Sequence, residues 1–295
     1  MSAQPTVHPR TLRTPVPRAV LGAAWRQART TLVRKYTTAG GISTLSMALV
    51  VLLVLWALRD RDLGGGVVTT SGYILTGFLA FGVVAAAVMG VAGELQTERE
   101  DGTLLRAKAV PHGMTGHLLA KLVVTPVDAL VPVVPAVVGA ALLLPGLLPD
   151  DVGSWLLLTL VFLLAVAAMM PWGAILGSAF RSMMGLAWAM IAMYAMAAVS
   201  GVFYPITVFP TWLQWIAQVT PLYWIGLAVR AVVLPDAAAA VEIGGEWRTG
   251  LTLVVLLAWA VVGLLVAPVL LRRMARRQSG STVAEARQRV LSRGY

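Results

Sequence analysis

Between Arg181 and Arg230 lie forty-eight consecutive positions without Asp, Glu, Lys, Arg or His. A water-soluble domain draws roughly 25% of its residues from the charged set, so a stretch of this length belongs in hydrocarbon. A single helix over it would reach about 72 Å, more than twice the roughly 30 Å core of a bilayer. Its second half, 203–233, holds Pro205, Pro210 and Pro221 together with Thr211, Gln214, Gln218 and Thr220. Proline removes a helix donor and polar groups disfavour lipid, so this half reads as short, broken helices that dip into the membrane and return. The whole chain agrees: 295 residues, 58% hydrophobic, 12% charged, with a mean hydropathy of +0.81. Too little polar surface remains to coat a soluble globule, which excludes a soluble enzyme.

The apolar runs predict an all-α integral membrane protein with six transmembrane helices. They fall at about Ile42–Leu58, Tyr73–Ala92, Leu118–Leu148, Trp155–Phe180, Met183–Val202 and Leu251–Leu271. The third is overlong and carries Pro126, Pro132, Pro135 and Pro145; the fourth holds Pro171 as an expected kink. The expected division is a disordered tail (1–17), an interfacial helix (18–40), a six-span domain (41–272) and a basic tail (273–295). Within the spans sit a loop at 94–116 and the re-entrant hairpin at 203–233.

Sidedness follows from where the cations fall. Seven basic residues precede position 41 and seven follow Leu271. Positive charge is retained on cytoplasmic segments, so both termini are expected in the cytoplasm of a plasma-membrane protein, with an even number of crossings. Nineteen of the 23 basic residues then fall on the inner side, and the net charge of +10 needs no nucleic acid to explain it. Some forty polar and basic residues precede the first apolar run, too many for the short basic region of a cleavable signal. Over 18–36, Val20, Leu21, Ala24, Trp25, Ala28 and Leu32 recur on one helical face, with Arg26 and Arg29 mostly opposite. That pattern predicts an amphipathic helix on the inner leaflet feeding the first span, with Trp25, Arg26 and Arg29 at the interface.

Enzyme chemistry is sparse. With no cysteine there is no thiol nucleophile, thiolate metal site or disulfide. The three lysines, Lys35, Lys108 and Lys121, sit outside any Gly-rich phosphate loop, so no ATP site is expected in this chain. His112 and His117 lack carboxylates at ligand spacing. What stands out is the loop after the second span, which contains Glu94, Glu98, Arg99, Glu100, Asp101, Gly102, Thr103, Leu104, Leu105, Arg106 and Pro111. It reads either as a solvated charged loop or as a docking element. In the second case a short helix at about 103–109 presents Leu104 and Leu105 to a partner's groove, with Arg106 and Lys108 fixing register.

The run from Glu98 through Asp101-Gly102-Thr103-Leu104-Leu105-Arg106 to Pro111, with Lys121 ten residues on, resembles the cytoplasmic motif of type-2 ABC transporter permeases. The second half agrees: Ser200-Gly-Val-Phe-Tyr-Pro205, Pro210-x-Trp-Leu213, Pro221-Leu222 and Arg230 look like that family's signature before its last span. Within the family the chain looks most like actinobacterial drug- and antibiotic-export permeases. The resemblance implies a second permease subunit, as homodimer or heterodimer, and a cytoplasmic ATPase in two copies that carries the ATP and Mg. It also implies that residues 94–111 take the ATPase stroke, that the interfacial helix is a second ATPase contact, and that the hairpin caps the outer exit.

Within the spans, Asp128 is the acid placed deepest, and a carboxylate in hydrocarbon costs several kcal/mol unless paired or neutral. It marks either packing near the inner end or a pathway role, and the rival class, a proton-coupled secondary transporter, would use it as carrier. Met190, Met193 and Tyr194, with Phe203 and Tyr204, are candidates for a path taken by an apolar substrate, since Met and aromatic side chains adapt to varied ligands. They are equally ordinary material for helix packing or lipid contact.

Overall fold

In the computed structural model, residues 18–37, 39–63, 66, 68–100, 113–180 and 182–277 are described. Helix α1 spans Arg18–Tyr36 and α2 spans Ala39–Ala57, the two bent by 60°. The corner depends on Gly41, where a Cβ would lie 2.2 Å from the Tyr36 carbonyl oxygen. Helix α1 ends in Arg34 and Lys35, cations suited to a helix C-terminus. Its Ala24 and Ala28 pack on Ala120 and Val124, small residues that let two helices approach closely.

A two-residue antiparallel ribbon follows α2, β1 (Asp62–Leu63) with β2 (Val68–Thr69), in register Asp62 to Thr69 and Leu63 to Val68. Thr69 then caps α3 (Thr70–Ala85), its hydroxyl accepting from the Gly72 amide at 3.2 Å. Helix α3 continues through a π turn at Ala86–Gly90 into α4 (Val91–Glu100), so the second predicted span extends eight residues beyond Ala92 as a charged, projecting end. The α3–α4 span is the centre of the bundle, with 61% of its most apolar window buried, against 17% for the last helix.

The third predicted span is two helices, α5 (Gly113–Leu130) and α6 (Val133–Leu143), parted at Val131 and Pro132. Asp151 caps α7 (Val152–Ala179), accepting from the Ser154 amide at 2.7 Å, which holds its exposed carboxyl below the usual carboxylate range. Helix α7 seats on the π turn through Gly173, where a Cβ would lie 2.6 Å from the Val88 carbonyl and 2.7 Å from that of Ala87. Helix α8 is Met183–Val199, and α9 (Thr211–Val219) meets α10 (Pro221–Val233) at 89°. Short 3₁₀ turns at Ile206–Val208, Asp236–Val241 and Ile243–Gly245 flank that pair. The last helix, α11 (Thr249–Arg277), lies on α7, where the Trp172 and Trp259 rings are 4.7 Å apart and Trp172 Nε1 donates to the Trp259 carbonyl at 3.1 Å.

The all-α membrane architecture expected from the sequence is therefore present. Among the described residues four helices are long and apolar enough to cross a membrane, or six if each bent pair counts as one span. Helices α2 and α8 occupy the first and fifth predicted spans, and the right-angle break at Thr220 replaces continuous helix where the prolines and glutamines fall. Apolar side chains cover the outside of the bundle, Leu45, Leu142, Leu156, Trp188 and Leu265 among them. In water such a surface would be aggregation-prone; against lipid chains it is solvated.

Candidate functional site

Glu94 and Glu98 stand one turn apart on α4 and present both carboxylates to Lys121 on α5. The Lys121 ammonium lies 2.9 Å from Glu94 and 3.0 Å from Glu98. Its side chain is only 7% exposed, and a buried ammonium requires such partners. Gln27 and Thr31, one turn apart on α1, complete the rim of a cleft of about 220 Å³ between the three helices. On another face of α4, buried Gln96 donates from Nε2 to Glu100 at 2.8 Å along the last turns of the helix.

The neighbouring pin lies two turns along α5. Asp128, 6% exposed, accepts from the Lys35 ammonium and, at 2.9 Å, from the Tyr36 hydroxyl. Both donors are the last residues of α1, so the carboxylate that stood out in the sequence ties the basic helix to the third span. Of the interfacial residues, Arg26 and Arg29 are exposed and Trp25 is 61% exposed. The face of α1 that packs inward is the alanine side; Trp25 and Leu21 look outward, so the apolar stripe is shared between α5 and the surroundings.

The structure thus gathers three predicted elements, α1, the start of the charged segment and the lysine opening the third span, around one cleft. Glu94 and Glu98 line it, whereas Glu100, two positions past Glu98, is turned away from it and accepts from Gln96. Asp101, Gly102, Thr103, Leu104, Leu105, Arg106 and Pro111, with the expected helix at 103–109, lie outside the described residues, as does the Arg99 side chain. The substrate-path candidates do not converge on Asp128. Tyr194 and Phe203 both meet Phe81, with ring centroids at 5.6 and 5.9 Å, and Tyr204 packs edge-on against Phe209 at 5.2 Å. Met193 is buried, whereas Met190 is exposed.

A second charged cluster escaped the reading of the sequence. Arg230 on α10 and Glu242 in the following loop are both wholly buried, with Nε 2.7 Å from Oε1. The Tyr73 hydroxyl, from the first turn of α3, donates to the same Oε1 at 2.8 Å, and the guanidinium carbon lies 4.7 Å from the centre of the Tyr73 ring. Their sequence separation hides the cluster, since 169 positions part Tyr73 from Glu242. The available signal was Arg230 itself, a lone cation in an apolar helical run, where a charge is unaffordable without a partner.

A family model described as ABC-2 family transporter protein matches residues 64–268, well over half of the chain. No curated protein matches it. The matched segment runs from the ribbon before α3 to the last helix, and so takes in both charged clusters. The chain belongs to the ABC-2 transporter family and is a multi-pass transmembrane subunit of an ABC transporter.

Proposed function

We propose that this permease subunit exports a hydrophobic or amphipathic compound, of the drug or antibiotic class, across the plasma membrane under the power of a separate ATPase. The observation that carries the coupling half of this reading is the cleft at Gln27, Thr31, Glu94, Glu98 and Lys121. A cytoplasmic ATPase pressing on residues 94–111 would bear directly on α4. The Lys121 ion pairs would hand the displacement to α5, and the Lys35–Asp128 pin would carry α1 with it. Charged groups clasped across three helices move as one unit more readily than three separate apolar surfaces, because parting them exposes unpaired charge. The functional unit has two permease subunits and two ATPases, both termini of this chain in the cytoplasm, and ATP and Mg bound on the ATPase alone.

The apolar cargo rests on the scarcity of polar groups along α8 and on the aromatic set at Phe81, Tyr194 and Phe203, where a greasy molecule meets adaptable surface; the outward direction rests on the resemblance to export permeases. A lipid or polysaccharide cargo is the alternative within the same mechanism. The proton-coupled alternative fares worse: the Asp128 carboxylate is engaged by Lys35 and Tyr36 in tying α1 to α5, which points to a structural contact. The test is co-expression with an ABC ATPase in cells preloaded with a fluorescent anthracycline. Efflux blocked by vanadate and spared by a protonophore supports the reading; protonophore-sensitive, vanadate-resistant efflux would overturn it. With the ATPase present, E94Q/E98Q should abolish efflux while leaving the permease in the membrane.

A further inference from the structure

Arg230 and Glu242 occupy a peculiar position energetically. A guanidinium offers five N–H donors and a carboxylate about four acceptor sites. Here the pair touches through one nitrogen and one oxygen, and among the described residues Nη1 and Nη2 of Arg230, Oε2 of Glu242 and the Tyr223 hydroxyl have no hydrogen-bond partner. All belong to side chains packed inside the end of the bundle made by the start of α3, the α9–α10 pair and the 3₁₀ turns. Apolar contacts seal that end: Tyr73, Val202, Ile206, Leu222 and Leu227 are fully buried. Burying an ion pair whose remaining polar atoms are unmatched costs more than its Coulombic attraction returns, and apolar residues of like volume commonly do as well or better.

We infer that Arg230, Glu242 and Tyr73 are positioning residues that keep this cap poised to open. The sealed state is held by apolar packing and opposed by two under-solvated charges. Any movement of α10 away from α3 exposes apolar surface but at the same time hydrates the guanidinium and the carboxylate, so the second effect offsets the first. A purely apolar cap would have no such offset and would stay shut. The Tyr73 hydroxyl moderates the opposition by supplying one donor to Oε1, which makes α3, the central helix, the element that sets the balance.

The absence of cysteine from the chain makes this measurable without an ATPase or a substrate, so its outcome is independent of the transport reading above. Val202→Cys places a near-isosteric thiol at a fully buried position of the cap, and maleimide labelling of the full chain in liposomes permeabilised to the reagent reports how often the cap opens. R230M/E242Q removes both charges, comes close to their volumes and leaves Oε1 to accept from Tyr73. The expected result is labelling slowed about tenfold, the response to about 1.4 kcal/mol in the opening equilibrium, with thermal stability equal to or above that of the parent. Labelling as fast as or faster than in the parent, at retained stability, would overturn the inference, because a merely structural ion pair predicts a looser cap. Should R230M/E242Q fail to fold, Tyr73→Phe decides: it keeps the ring and removes the donor, and several-fold faster labelling is expected. Unchanged or slower labelling in that variant would equally overturn it.

Discussion

The two ends of this bundle handle charge in opposite ways. At the end bearing α1, Lys121 meets Glu94 and Glu98 in an open cleft, and the carboxylate side chains keep 28% and 16% of their surface. At the other end Arg230 and Glu242 keep none. The open cluster is the kind another protein can reach and salt can screen; the closed one is insulated from both. The difference teaches that position within the membrane frame, rather than charge itself, decides what an ion pair does. One cluster lies where water reaches its carboxylates, the other where none does.

The largest effect should come from breaking the closed cluster on one side only. Arg230→Met leaves Glu242 buried without its counter-ion and should cost about 3–5 kcal/mol, seen as a large fall in the thermal midpoint of the detergent-solubilised chain. The open cluster should be milder. Lys121→Met leaves two carboxylates that water already reaches, so about 1–3 kcal/mol is expected; moreover, raising ionic strength should narrow the gap between this variant and the parent, whereas the deficit of Arg230→Met should not respond. An equal salt response in the two would erase the distinction between the ends. Asp128→Asn is smaller again, about 1 kcal/mol, because Tyr36 still finds an acceptor and Lys35 can turn to water. Its signature should be faster amide hydrogen exchange confined to α1. The smallest effect belongs to Asp151, which is fully exposed. Its carboxyl is lowered by the Ser154 cap, so that contribution is present above the ordinary carboxylate range and lost as pH falls through the lowered value. Asp151→Ala should lower the thermal midpoint slightly at neutral pH through a frayed α7 start, and the gap from the parent should close as pH falls through the lowered carboxyl value.

How much of this was legible beforehand depends on the range of the interaction. The spans were readable because bilayer thickness sets a length that composition must fill, and the broken hairpin because Pro210 and Pro221 act on their own backbone. The basic helix at 18–36 was visible from its period, but not that Ala24 and Ala28, rather than Trp25, would be the packed face; small residues carry little hydrophobic signal yet permit the closest approach. Glu94 and Glu98 stood out as part of a charged run, with Lys121 flagged separately in the family motif. Their mutual contact depends on α4 projecting past the apolar core, which a hydropathy boundary at Ala92 conceals. Tyr73, Arg230 and Glu242 come from three separate segments, and no local pattern records their meeting.

The π turn at Ala86–Gly90 has a bearing on both ends at once. A π turn adds one residue to an otherwise α-helical path, and one residue corresponds to about 100° of rotation around the axis. Along the same continuous rod, Tyr73 faces Arg230 and Glu94 faces Lys121, and the two alignments hold together only with that extra residue between them. The turn therefore acts as a phase shifter, letting each half of the rod keep its own azimuth. Tightening 86–90 into regular α-helix at unchanged chain length would turn one end by more than a quarter of a revolution, so that either the aromatic donor or the two carboxylates would face the wrong neighbour.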